Sequence, residues 1–276
     1  MNRKKLIAFS ISLAMTVVPV TPAAAAGAEQ NTEGLQNAVL DLEFENSLED
    51  SSGKGNNGTL SSGEAEYVDG VVGKGLKMNG SSYVNLGNST DLQPENLTLS
   101  FWIRPDSDMK GEELISWNKN EWYTDGWYLS SENDNTPLTL SVGPAKTNGQ
   151  PYRVSVSGKR SEFLPTGEWT HIAVTYDKDS KEICFYRNGV KCSTVTTYGI
   201  SGESTGVLGS DATMEKSIGY NGPKYKGAYL KASLDEYQLY NDVATPEEVI
   251  ALYEESGQTF DRKAVAQADL DKISIP

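Results

Sequence analysis

The sequence predicts an all-β domain, built as a sandwich or a barrel, and three observations carry that expectation. Short runs of β-branched, aromatic and aliphatic residues recur from Val39 to Tyr240. Clusters of Gly, Asn, Asp, Pro and Ser separate them, where turns need such residues. Only one segment reads as a helix, which argues against parallel βαβ units.

Val39–Phe44 opens the series, with Leu42 and Phe44 alternating toward a core. Further strands are expected at Leu76–Met78, Tyr83–Leu86, Leu97–Ile103, Leu114–Trp117, Trp127–Ser130, Leu138–Val142 and Arg153–Ser157. His171–Tyr176, Ile183–Tyr186, Val190–Val195, Ser217–Tyr220 and Ala232–Tyr240 complete the set. Alternation assigns faces within them. Leu99, Phe101 and Ile103 share one side, as do Ile172, Val174 and Tyr176, and both sets belong in the core. Thr98, Ser100 and Trp102, with His171, Ala173 and Thr175, are left to an outer surface. The helix begins at Thr245, whose Thr-x-x-Glu spacing to Glu248 is a capping box with Pro246 at the first position. Val249, Leu252 and Tyr253 form its apolar stripe, and Gly257 ends it.

The ends delimit the domain. Residues 1–26 read as a signal peptide: Arg3, Lys4 and Lys5, then an apolar stretch from Leu6 to Val18, then Ala23–Ala26 as a small-residue cleavage site. The expected order is this leader, a polar lead-in over 27–34, one domain over 35–257, and over 258–276 a linker with the start of a further domain. Secretion follows from the leader. No window supplies the roughly 20 apolar residues of a membrane span, so membrane insertion is not expected. The net charge of −14, more negative still once the leader's cations are lost, disfavours nucleic acid and anionic lipid.

Two cysteines, Cys184 and Cys192, flank Asn188-Gly189. A three-residue loop would pair Tyr186 with Val190 and set the cysteines opposite each other, permitting a cross-strand disulfide in an oxidising compartment. A two-residue Asn-Gly turn would shift the register by one and misalign them.

Six phrases stand in a fixed order: DSSGKGNNGTL (from Asp50), GKGLKMNGSSYVNL (from Gly73), LTLSFWIRP (from Leu97), EWTHIAVTYD (from Glu168), FYRNGV (from Phe185) and LDEYQLYNDVATPEEVIALY (from Leu234). Together they resemble the laminin-G-like, concanavalin-A-like family. The resemblance implies a two-sheet antiparallel jelly-roll sandwich with one short C-terminal helix. It also implies a binding module of the kind attached to secreted bacterial glycoside hydrolases, with carbohydrate and the downstream domains of the same chain as partners. A structural Ca2+ is implied too, carried by position onto Glu45, Asn57 and Asp235, although Glu45 stands where aspartate is more usual. Asp50 and the asparagines could instead simply close turns. The ending ADLDKISIP, from Ala268, resembles the start of an immunoglobulin-like module.

The chemistry-bearing residues point away from catalysis. His171 is the only histidine and lacks a nucleophile elbow, and one His with two hairpin cysteines cannot close an ordinary zinc site. Binding rests on aromatics beside amides and Arg, because sugars present an apolar ring face with a rim of hydroxyls. Trp122 and Tyr123, Tyr152 and Arg153, and Tyr220 with Asn221 are the candidates. The expected function is a secreted, non-catalytic, lectin-like module of a polysaccharide-degrading enzyme. The alternatives are a structural or protein-binding module without sugar binding, and a hydrolase built on the same sandwich.

Overall fold

A computed structural model describes residue 35 and residues 38–106, 113–119, 126–142, 152–180, 182–192, 195–198, 215–220 and 229–264, with backbone alone at 113–114, 117–119, 152 and 195–198. Residues 34–276 form one compact unit; the unit of residues 1–33, which holds the expected leader, lies outside the described residues.

The alternating runs become β1 (Ala38–Leu42), β2 (Thr59–Leu60), β3 (Glu66–Asp69), β4 (Lys74–Asn79), β5 (Val84–Asn85), β6 (Leu97–Pro105), β7 (Glu113–Lys119) and β8 (Gly126–Ser131). After them come β9 (Leu138–Val142), β10 (Tyr152–Val156), β11 (Thr170–Tyr176), β12 (Ile183–Arg187), β13 (Val190–Lys191), β14 (Val195–Tyr198), β15 (Ser217–Ile218) and β16 (Lys231–Tyr240). A four-residue helix α1 (Arg160–Phe163) and the longer α2 (Pro246–Glu255) accompany them.

Two antiparallel sheets result. The first runs β13-β12-β11-β6-β16-β4-β3, with β1 paired to β16; the second runs β14-β10-β9-β8-β7-β15-β5-β2. This is the sandwich expected. Leu99, Phe101, Ile103, Ile172, Val174 and Tyr176 of the first sheet meet Trp127, Leu129, Leu138 and Leu140 of the second in one core, all without solvent exposure. Tyr237 spans the layers, its ring 5.6 Å from Phe101 and its hydroxyl bonded to Ser116. The run expected as one strand over Val190–Val195 is divided, β13 pairing in the first sheet and β14 in the second.

The surface expected on the outside of β6 and β11 is not a surface. Thr98, Ser100, Trp102, His171, Ala173 and Thr175 are all buried. Helix α2 supplies the cover. Thr245 accepts from the Glu248 amide while Glu248 accepts from the Thr245 amide, so the capping box forms and fixes where the helix starts. Val249 then packs with Ala173, Cys184, Tyr186 and Ala244 in a second apolar cluster, and Tyr253 stacks on Trp102 at 5.5 Å. Alternation had sorted the faces correctly; the apolar stripe of α2 needed a partner, and this face is it. Beyond the helix, Phe260 returns to sit over Gly189 and beside Tyr253, and Arg262 pairs with Glu254.

The hairpin between β12 and β13 takes the two-residue form. Asn188 and Gly189 both have positive φ, 49° and 78°, and Arg187 pairs with Val190. Tyr186 therefore faces Lys191, and the cross-strand disulfide that a three-residue loop would have permitted between Cys184 and Cys192 does not form. Cys184 packs beneath α2, whereas Cys192 packs against the core, on the opposite face of the sheet. Both thiols are free. Burial pushes the Cys192 thiol up to about 12 and raises that of Cys184, which also donates to Glu182. Neither is a ready nucleophile. Alkylation without reductant should be slow on the folded protein and should add two labels after unfolding, read by intact mass; no label on the unreduced, unfolded chain would restore the disulfide.

Candidate functional site

The outer face of the second sheet is chemically unlike that of the first. Trp127 and Leu129, Leu138, Leu140 and Val142, and Val154 and Val156 all point into the core. Alternation therefore turns Tyr128 and Ser130 of β8, Thr139 and Ser141 of β9, and Arg153 and Ser155 of β10 outward. Register aligns them in rows: Arg153 faces Ser141, which faces Tyr128, which faces Trp117 of β7, which faces Ser217 of β15. Behind that row, Ser130, Thr139 and Ser155 make a second. Five strands at about 4.8 Å spacing give a strip about 19 Å wide.

The strip is rich in hydroxyls that the protein does not fully use. Thr139 and Ser155 bond each other at 2.7 Å, but Ser130 Oγ, Ser141 Oγ and Arg153 Nε are buried with no hydrogen-bond partner. Each such group costs about 1–3 kcal/mol unless something pairs with it. Arg153 lies 6.0 Å from the Tyr128 ring centroid, and its guanidinium is ion-paired with Glu132, which follows β8. These two are the partly exposed members of the strip, with side chains 33% and 20% accessible.

At the opposite end, next to β15, three tyrosines stack. Tyr220 lies 4.5 Å from Tyr229 and 5.0 Å from Tyr83, with ring planes within 23°. Tyr220 is held by its own backbone, whose carbonyl accepts from Ser217 Oγ at 2.6 Å, and is 8% exposed; Tyr83 and Tyr229 are half-buried. Burial raises the phenols of Tyr83 and Tyr220, so both stay neutral at ordinary pH.

The expected binding residues are thus distributed. Arg153 and Tyr220 mark the two ends of the strip. Tyr152 stands opposite Val142 in β10 and is described by backbone alone, and Trp122, Tyr123 and Asn221 lie outside the described residues. Tyr83, Tyr128, Tyr229 and Glu132 were not anticipated. Tyr128 could have been found, since the core position of Trp127 turns its neighbour outward.

The expected calcium ligands also separate. Glu45 and Asp235 grip one turn from two sides: Asp235 Oδ2 accepts from the amides of Val71 and Val72 at 2.7 and 3.1 Å, and Glu45 Oε1 from that of Lys74 at 3.3 Å. Gly70 and Gly73 are required there, because a Cβ would collide with the Asp235 and Glu45 carboxylates respectively. Asn57 instead accepts from the Asp50 amide at 2.8 Å. Asp50 gathers the amides of Asp41, Ser52 and Asn56 and the Ser52 hydroxyl. Burial works against its charge, but those donors outweigh it and hold its carboxyl below the usual range. This loop is closed by its own side chains.

Negative charge accumulates beside Asp235. Burial, only partly offset by its backbone donors and increased by Glu45, pushes its carboxyl up to about 6. Glu236 has φ 47° at a bulge; burial, then Asp235, Asp41, Glu43 and Glu45, push it up to about 8. Among the described residues no group of three or more His, Cys, Asp and Glu is disposed to hold a metal ion. His171 is fully buried, shares a 2.9 Å hydrogen bond with Ser100 through Nε2, and is driven by burial down to about 3. It is a neutral core residue. Because the folded state binds the Glu236 proton more tightly than the unfolded chain, that group's contribution to stability falls as pH rises from about 4.5 through 8. Glu236→Gln should therefore raise the melting temperature more at pH 8.5 than at pH 5; an equal change at both would remove the charge cluster as a source of instability.

Three comparisons with known proteins bear on the site. No curated protein matches the chain in sequence. Among solved structures, domain 4 of AbnA, a GH43 extracellular arabinanase from Geobacillus stearothermophilus in complex with arabinotriose, superposes with a TM-score of 0.57 at 23% identity, covering 80% of this chain and all of that domain. The binding domain of Paraclostridial Mosquitocidal Protein 1 gives 0.60 at 22%, over 79% of this chain and 52% of its own. That of botulinum neurotoxin type C, whose cell entry depends on two ganglioside molecules, gives 0.59 at 16%, over 81% and 52%. The chain thus spans about half the length of the two toxin domains, and at these identities the likeness is one of fold. Residues 78–250, from the end of β4 to the middle of α2, match the family description itself, and the chain belongs to the concanavalin A-like lectin/glucanases superfamily.

Proposed function

We propose that this chain is a secreted, non-catalytic carbohydrate-binding module, accessory to a larger polysaccharide-degrading enzyme. One observation carries the reading: the outer strip of the second sheet, with unpaired hydroxyls in its middle, stacked tyrosines at one end and a guanidinium at the other. A polyhydroxyl ligand pairs with the first, lies on the second and bonds to the third. Ser130 and Ser141 are closed to solvent in the free chain, so a ligand would contact the Tyr83–Tyr229 and Arg153–Glu132 ends first. His171, neutral and buried, supports the non-catalytic half of the reading. Tethering such a module raises the local substrate concentration without chemistry of its own.

The arabinotriose held by the arabinanase domain makes arabino-oligosaccharides the first ligands to try. Tyr83→Ala and Tyr229→Ala should each weaken glycan binding about threefold to tenfold, for about 0.7–1.4 kcal/mol of lost ring contact, in variants that remain folded with a melting temperature lowered by a few degrees. Silence of the wild type across a neutral and acidic glycan panel, with tight binding to a downstream domain instead, would favour the protein-binding alternative.

Calcium is the second part of the proposal. Glu45 and Asp235 fit it: two carboxylates flank one glycine turn, and their mutual repulsion is what a divalent cation relieves. Asn57 does not, since its amide oxygen closes the preceding loop. When bound, the ion would neutralise the Asp235 cluster and fasten the 70–73 turn to the sheet. Chelation should then lower the melting temperature, and the loss should be larger at pH 8 than at pH 5, where protons occupy Asp235 and Glu236. An unchanged melting temperature at both pH values would sink the calcium assignment.

A further inference from the structure

The strip also carries information about the charge of its ligand. Arg153 is the only cationic side chain described on the strands of this face, and it is already matched by Glu132. Glu132 is held in place: its amide bonds to the Thr136 carbonyl, and Asn133 and Thr136 bridge across the tight turn that follows β8. The pair is half-buried, so water does not fully screen it. Arg153 keeps one buried guanidinium N–H, at Nε, without a partner, a donor that a ligand hydroxyl could take up while Glu132 continues to balance the charge. A ligand carboxylate brought to the same guanidinium would have to displace Glu132 or stand beside it as a like charge. The whole chain, at −14, adds a repulsive field.

We infer that Glu132 acts as a charge filter, making this strip a site for neutral glycans and excluding uronate-bearing or sialylated ones. The inference rests on the sugar-binding reading above. It assigns a specificity-determining role to a residue outside the aromatic set, through Arg153 rather than through direct contact.

The test compares wild type, Glu132→Gln and the double variant Glu132→Gln/Arg153→Gln on two probes, linear arabinan and polygalacturonate, at low and high salt. Wild type should bind arabinan with little salt dependence and bind polygalacturonate at least about tenfold more weakly. Glu132→Gln should gain polygalacturonate binding by about tenfold or more, a gain lost at high salt and lost in the double variant. Glu132→Ala serves if the glutamine variant does not fold. Wild-type binding of polygalacturonate as tight as arabinan overturns the filter and leaves the sugar-binding reading standing. Folded Glu132 variants that gain nothing also overturn it. A wild type silent on both probes, with an Arg153-dependent gain in Glu132→Gln, instead supports the filter and fails the reading it was built on.

Discussion

The structure depends on one long strand and the irregularity in its middle. Strand β16 pairs with β4 through its first half, with β1 through its second, and with β6 along both. Its register with β6 slips between Asp235 and Gln238, where Glu236 takes a positive φ. A bulge of this kind re-aims neighbouring side chains. Asp235 is directed at the 70–73 turn, tying residues 164 positions apart, while Tyr237 enters the core and reaches Ser116 of the other sheet. One local distortion therefore joins a surface turn, the first sheet and the second sheet.

That arrangement leaves a charge problem. Backbone amides are good partners for Asp235, but they bring no net positive charge, and Glu236 is carried into the same neighbourhood by the bulge itself. Two agents can relieve the repulsion: a proton, which the raised carboxyls of Asp235 and Glu236 are prepared to hold, or a divalent cation. They would compete for the same oxygens, so if calcium binds here, as proposed above, the stability of the first sheet would depend on pH and on metal together. The Asp50 loop shows the contrast. Its carboxylate has enough donors around it to remain charged, and it needs neither agent.

How much of this was legible in the sequence follows from the range of each interaction. Alternation is local, so the core faces of β6 and β11 and the capping box of α2 could be read directly. What covers the other face of β6 and β11 depends on where α2 docks, a tertiary choice, and Trp102 and His171 were accordingly left on an outer surface that the helix closes. The cysteines turned on a single residue of register: both turn lengths are compatible with Arg187-Asn188-Gly189, and left-handed conformations at both Asn188 and Gly189 select the shorter. Asn57 could not be separated from Glu45 and Asp235 by position alone, because its partner Asp50 offers an equally good local bond. Tyr83 and Tyr229 had no signal at all. They flank different strands, and only the pairing of β5 with β15 and the return into β16 bring them to Tyr220.

The two faces of the sandwich differ in how far their side chains satisfy one another, and that difference is what the proposed site rests on. On the first sheet an outer face with Trp102, His171 and Tyr253 is made permanent interior: the rings stack on one another and His171 stays neutral. Little there is left for a ligand to satisfy. On the second sheet the outer residues are Ser, Thr, Tyr and Arg, which a self-sufficient interior would not select, since a serine hydroxyl without a partner is worse than an alanine in its place. Ser130 and Ser141 too are closed to solvent, but their buried hydroxyls keep hydrogen-bonding capacity in reserve. Arg153, the cation among the described side chains on the strands of this face, is paired with Glu132, which fits the proposed completion by hydroxyls, since these need donors and acceptors but no net charge.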